Sequence, residues 1–174
     1  KDTYYIYFPA GGTNWVVTAT SPEGPWTEPV DLKLSGFIDP GHVVDKNGKR
    51  YLYLSRGAIV QLADDGLSTV GGAKHSYDGW EFPKTWSTEC FCLESPKSTV
   101  KDGYYYLTSA EGGTAGPATS HMVVSARSRT VAGPWENSPY NPVVHTGNRA
   151  ERWWSQGHGT LVDDINGNYW MMYH

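Results

Sequence analysis

Apolar and β-prone residues occur along this chain in short runs, broken by turns rich in glycine, proline and aspartate. Tyr4 to Phe8, Trp15 to Thr20, Tyr51 to Leu54, Ala58 to Leu62, Tyr104 to Leu107 and His121 to Ser125 each read as a strand. Asn47-Gly48, Asp102-Gly103 and Asn166-Gly167 fall between such runs and predict hairpins, because both central residues of the tight hairpin turn need a positive φ. No long stretch repeats its apolar positions every 3.6 residues, so no helix is predicted. Residues 76–89 follow neither period and predict a loop lying across one face.

The hairpins belong to a longer repeat. Ile38-Asp39-Pro40 precedes an apolar run, a turn at Asn47-Gly48 and an aromatic strand. Glu94-Ser95-Pro96-Lys97 precedes the same design around Asp102-Gly103. In a third copy Gly157-His158-Gly159 precedes Asn166-Gly167, with His158 near the place of the acids. Lys1 to Phe8 reads as the second half of a fourth copy, with Asp2 in its turn. A Gly-Pro-Trp signature also recurs, at Gly24-Pro25-Trp26 and Gly133-Pro134-Trp135. Copies begin roughly 45 to 65 residues apart, the range of β-propeller blades. The inner strand of every blade lines the propeller axis, so residues at one place in each repeat converge. Asp39, Glu94 and His158 are therefore candidates for one site. The repeats fall near 1–35, 36–89, 90–146 and 147–174, parts of one domain truncated at both ends: two whole blades and pieces of two others.

Composition narrows the partners. Twenty glycines, eleven prolines and an aromatic content of 14% suit a turn-rich all-β protein. The net charge is −4 and no basic stripe appears, which argues against nucleic acid. No apolar run is long enough to span a bilayer, which argues against a membrane segment. Lys1 is not a native start, so the lack of a visible signal peptide carries no information. Cys90 and Cys92 would share a face if they lay in a strand; a bond between them would be strained, and the expectation is two buried free thiols. The glycine-rich stretch Glu111 to Ser120 lacks the Lys-Ser/Thr pair of a phosphate loop.

Ile38-Asp39-Pro40, Glu94-Ser95-Pro96-Lys97 and Gly157-His158-Gly159, in that order and with Gly-Pro-Trp between them, resemble glycoside hydrolase family 43. The resemblance covers essentially the whole chain. It implies a five-bladed β-propeller, of which this chain holds roughly three blades, the missing blades coming from the same parent chain. It implies cleavage of arabinose- or xylose-containing hemicellulose with inversion, by an α-L-arabinofuranosidase or a β-xylosidase acting on an oligo- or polysaccharide. Glu94 matches the general acid, and Asp39 matches the aspartate that tunes and orients it. The matching general base would precede Lys1, so a non-catalytic carbohydrate-binding fragment stands as the alternative. No cofactor is required. His158 matches a channel position often near a bound calcium, and a hydrogen-bonded core histidine is the competing reading. Phe37, Trp80, Trp86, Trp153 and Trp154 are candidates for a sugar-binding rim, and His121 or Arg149 for bonds to hydroxyls; packing competes in each case. Such an enzyme suits secretion or the periplasm, and the cytoplasm if it cleaves oligosaccharides.

Overall fold

The computed structural model describes residues 3–174, and the turn placed at Asp2 lies outside them. Four antiparallel sheets follow one another along the chain. The first joins β1 (Tyr4–Ala10) to β2 (Thr13–Ala19) through a tight Gly11-Gly12 turn and adds the short β3 (Val30–Asp31). The second runs in the order β4 (Gly41–Val44), β5 (Arg50–Leu54), β6 (Ala58–Leu62) and β7 (Thr69–His75). The third orders β8 (Glu94–Lys101), β9 (Tyr104–Glu111), β10 (Met122–Ser128) and β11 (Glu136–Asn137), with β12 (Val144–His145) on the other half of β10. The fourth contains β13 (Thr160–Asp163) and β14 (Tyr169–Met172).

Strands adjacent in sequence pair with one another in each sheet, and the sheets pack face to face through alternate side chains. Val16, Leu32 and Leu34 of the first sheet region meet Leu52, Leu54 and Leu62 of the second. Val43, Tyr53 and Ile59 of the second meet Tyr105, Leu107 and Ala126 of the third. Leu52, Leu54 and Leu62 are fully buried, and truncating any of them to alanine costs about 2–5 kcal/mol. The result is part of a β-propeller, with β4, β8 and β13 as the first strands of successive blades. Two of these strands touch through their backbones. A Cβ on Gly41 would lie 1.9 Å from the Pro96 carbonyl oxygen, so only glycine lets β4 and β8 approach this closely.

Several expectations shift. β7 has no sequence signal, since Gly71-Gly72 interrupts it and most of it is exposed. The strand expected to begin at His121 begins at Met122. Cys90 and Cys92 are not buried free thiols: they form a disulfide with a Cα–Cα distance of 5.3 Å, and Cys92 is exposed. The expectation assumed a strand, whereas residues 90–93 are irregular and Cys92 has a φ of 44°. Trp135 of the second Gly-Pro-Trp signature packs on Tyr53 and Tyr77 of the neighbouring blade. The irregular stretch extends from residue 76 to 93 and is tied down at both ends. Ser76 and Tyr77 donate to the Gly57 carbonyl, and Glu89 donates to that of Gly112. No helix among the described residues is long and apolar enough to cross a membrane.

Candidate active site

Asp39, Ser95 and His158 sit at the same place in three successive blades and share one unusual backbone state, with φ of 54°, 52° and 53°. Non-glycine residues avoid this region, so each turn carries a local cost of order 1 kcal/mol or more that the packing sustains. The residue before each bonds at the same level, at or just past the end of the second strand of its blade: Ile38 with Ser55, Glu94 with Ala110, and Gly157 with His174. Glu94 is therefore equivalent to Ile38 and not, as the motif alignment suggested, to Asp39. The hairpin at Asp102-Gly103 is one residue shorter than the one at Asn47-Gly48, which hid the offset.

The offset does not separate the acids. Ligand-type atoms of Asp39, Glu94 and His158 all lie within 4.8 Å of one another, and all three residues are half-buried. The Ser95 backbone N–H donates to Asp39 Oδ2 at 3.1 Å and fixes that carboxylate beside its neighbour. Burial pushes the Glu94 carboxyl up from its ordinary range, and the charges of Asp39 and then Glu89 add to it. That combination favours the protonated form of Glu94, the state a proton donor needs. Lys97 enters the same site from β8 and donates to the Ser95 hydroxyl. Burial lowers its pKa, and Asp39 opposes the shift.

A cleft of about 500 Å³ opens beside Glu94 and is lined by Ile38, Arg56, His75, Asp78 and Phe91 among others. Phe37 does not line it: half-buried, it packs against the core between the first two sheets, with the Arg56 guanidinium 4.9 Å above its ring. Trp80 and Trp86 belong to one aromatic cluster with Phe82, Phe91 and His145. Trp86 stacks on His145 at 4.5 Å, so one of its faces is already covered. Trp153 and Trp154 are 63% exposed. Their contacts are local: Arg152 covers Trp153, and the Trp154 indole donates to the carbonyls of Arg149 and Glu151. Arg149 is exposed, and the hydrogen bonds and ring contacts of these three residues stay within residues 146–156 rather than reaching Asp39 or Glu94.

His121 is fully buried rather than available to a sugar at the surface. Its Nδ1 meets the Thr114 hydroxyl at 2.8 Å, and burial pushes its pKa down to about 4. It faces His158 and His174, with ring centroids 6.3 and 5.0 Å away. The residues best placed to hold a metal are thus His121, His158 and His174, and beside them Asp39, Glu94 and His158.

Sequence reading assigned no role to Lys97, Glu111 or His174. Lys97 closes the Glu94-Ser95-Pro96-Lys97 motif, and its position on the inner strand is the available signal. Glu111 ends an apolar strand, is fully buried, and accepts the Trp80 backbone N–H at 2.7 Å. Burial pushes its pKa up to about 7. A single charge before Gly112-Gly113 gives no clue to that burial.

A family model described as glycosyl hydrolases family 43 matches residues 1–174. A xylan 1,3-β-xylosidase of a Vibrio species is 37% identical, the match covering 92% of this chain and 31% of the relative. A non-reducing end α-L-arabinofuranosidase of Bacteroides ovatus is 31% identical, over 97% of this chain and 31% of its own length. The solved structure of a GH43 protein from Bacillus licheniformis superposes with a TM-score of 0.84 at 32% identity, covering 99% of this chain and 34% of that one. The chain therefore spans about a third of the length of the curated relatives it matches.

Proposed function

We propose that this chain, which belongs to glycosyl hydrolase family 43, carries the proton donor of an inverting glycosidase that removes xylose or arabinose from hemicellulose. The observation that carries the reading is Glu94, half-buried, with its pKa raised and the Asp39 carboxylate within 4.8 Å. In the reaction Glu94 gives its proton to the glycosidic oxygen as the bond to the anomeric carbon breaks. A second carboxylate takes a proton from the water attacking the opposite face. Asp39 is not that base. Acid and base of an inverting pair stand roughly 6.5–9.5 Å apart, with room for the water between them. Asp39 lies on the donor's own side, held by the Ser95 N–H. Its work is to orient Glu94 and to raise its proton affinity.

The test is Glu94→Gln in the whole protein. On xylo-oligosaccharides and aryl arabinofuranosides with poor leaving groups, kcat/KM is expected to fall about 10²–10⁴-fold. On a dinitrophenyl glycoside, whose leaving group needs no proton, the loss is expected to be much smaller. Equal, small effects on both would overturn the assignment. Product of retained anomeric configuration would overturn inversion, since carboxyls roughly 5 Å apart are also the geometry of a retaining pair.

A second reading follows from the same site. Within 4.8 Å the site gathers Glu94 and Asp39 as its carboxylates among the described residues, and Asp39 is not the base, so on this reading the chain by itself binds sugar without turning it over. Turnover by residues 1–174 alone at the rate of the whole protein would exclude it.

A further inference from the structure

Three imidazoles meet beside the acids. Nitrogens of His121, His158 and His174 lie within 4.8 Å of one another. The rings come from three different elements: the start of β10, the approach to β13 and the end of β14. Gly157 locks two of them together, because its N–H and carbonyl both bond to the backbone of His174 while His158 follows it directly. The same glycine lets the chain lie against the third. A Cβ there would fall 1.7 Å from a ring carbon of His121.

The state of His121 points to a ligand. The residue is fully buried, and its Nε2 has no hydrogen-bond partner. A buried polar atom left unpaired costs about 1–3 kcal/mol. Its Nδ1 is held by the Thr114 hydroxyl. If Nδ1–H donates to that oxygen, Nε2 carries an unshared lone pair, on a ring whose centroid lies 5.0 Å from that of His174 and 6.3 Å from that of His158. This is how proteins prepare a histidine to bind a metal, with one nitrogen fixed by a neighbour and the other left for the ion.

We propose that His121, His158 and His174 form a binding site for a divalent ion of the zinc class, with Thr114 orienting His121. Calcium, the ion that the family resemblance places near His158, does not suit these donors. It takes six to eight oxygen ligands, and three imidazoles supply none. The oxygens alongside belong to Asp39 and Glu94, and Glu94 must keep a proton to act as a donor. Imidazole suits zinc, nickel and copper instead. Tetrahedral zinc holds its nitrogens at about 2.0–2.1 Å. The three nitrogens, now within 4.8 Å of one another, would draw together to close on an ion. His158 belongs to both groups, so the acids lie beside the ion, and a bound water or sugar hydroxyl would complete its shell.

The test reads binding and needs no substrate, so its failure would leave the glycosidase reading intact. The whole protein is stripped with a chelator and titrated with Co²⁺, which reports tetrahedral nitrogen ligation by visible d–d absorption, and then with Zn²⁺ in a calorimeter. One equivalent is expected to bind, and Zn²⁺ should displace Co²⁺ where millimolar Ca²⁺ does not. Thr114→Val is expected to weaken binding about 10–100-fold. His174→Ala removes one of the three imidazoles and should weaken binding at least as much, with a denaturant midpoint equal to that of the unchanged protein showing that the fold is intact. Binding that is absent, displaced by calcium, or unchanged in both variants would overturn the proposal.

Discussion

Asp39→Asn separates the causes that hold the Glu94 carboxyl above its ordinary range. Burial is the largest and survives the substitution, while the Asp39 charge, next in size, is removed. The amide oxygen can still accept the Ser95 N–H, so the geometry is kept. Glu94 must be protonated to act, and activity on the alkaline side falls as it ionises. The alkaline limb of kcat/KM against pH is therefore expected to move to lower pH, with the acid limb unmoved. A limb that stays in place would show that Asp39 does not couple to the donor. Glu111 gives the other residue-scale prediction. Below about pH 4.5 its carboxyl is protonated folded or unfolded, and it costs nothing. As pH rises from about 4.5 toward about 7, the unfolded chain releases the proton and the folded chain keeps it, so stability falls. The full penalty above that range is on the order of 3 kcal/mol. Glu111→Gln keeps an acceptor for the Trp80 N–H and cannot titrate. Denaturant midpoints of wild type and variant should converge near pH 4.5 and diverge in the variant's favour by pH 8. Parallel profiles would refute this account of Glu111.

At the scale of elements, the close approach of β4 and β8 is what brings two blades' acids together. Gly41→Ala would place a methyl 1.9 Å from the Pro96 carbonyl oxygen, a contact with backbone that cannot swing aside. Relief requires the strands to part, at a typical cost of about 1–3 kcal/mol. The expected signature is a lower denaturant midpoint together with a loss of kcat out of proportion to any change in KM, because Asp39 and Glu94 ride on the parted strands. A variant that keeps full kcat would mean that the site tolerates the displacement. The hairpins and the convergence of Asp39, Glu94 and His158 were legible in the chain, because Asn-Gly and Asp-Gly turns and β-prone runs are local signals. The one-residue offset of Glu94 was not legible, since it depends on a turn length and on an irregularity between Glu94 and Lys97. The Cys90–Cys92 pairing was hidden by a positive φ at Cys92 that no residue type there announces. The burial of His121 and Glu111 depends on loops that fold over them from distant parts of the chain. Local pattern carries no trace of such closure.

For the molecule as a whole, the four sheets are not equally supported. The second is packed on both faces, by the Leu52–Leu62 side and by the Tyr53–Ile59 side, and the third shares the latter. The outer two are different. Tyr4 and Ile6 of β1 are 42% and 44% exposed, and Trp170 and Met172 of β14 are 60% and 66% exposed. In a propeller such faces lie against neighbouring blades, and the solved relatives are longer than this chain. Amide protection rises with burial of the apolar surface around a strand, because local opening is cheap where little is buried. Hydrogen exchange on residues 1–174 by themselves is therefore expected to be slowest in β5, β6, β9 and β10. It should be fastest in β1 and β14, although all six are paired in ladders. In the whole protein β1 and β14 should slow toward the others, while β5 and β6 change little. If β14 is already as protected as β9 in the isolated chain, the fourth sheet is held by something other than inter-blade packing. The histidine site that β14 helps to build would then be preformed without further blades.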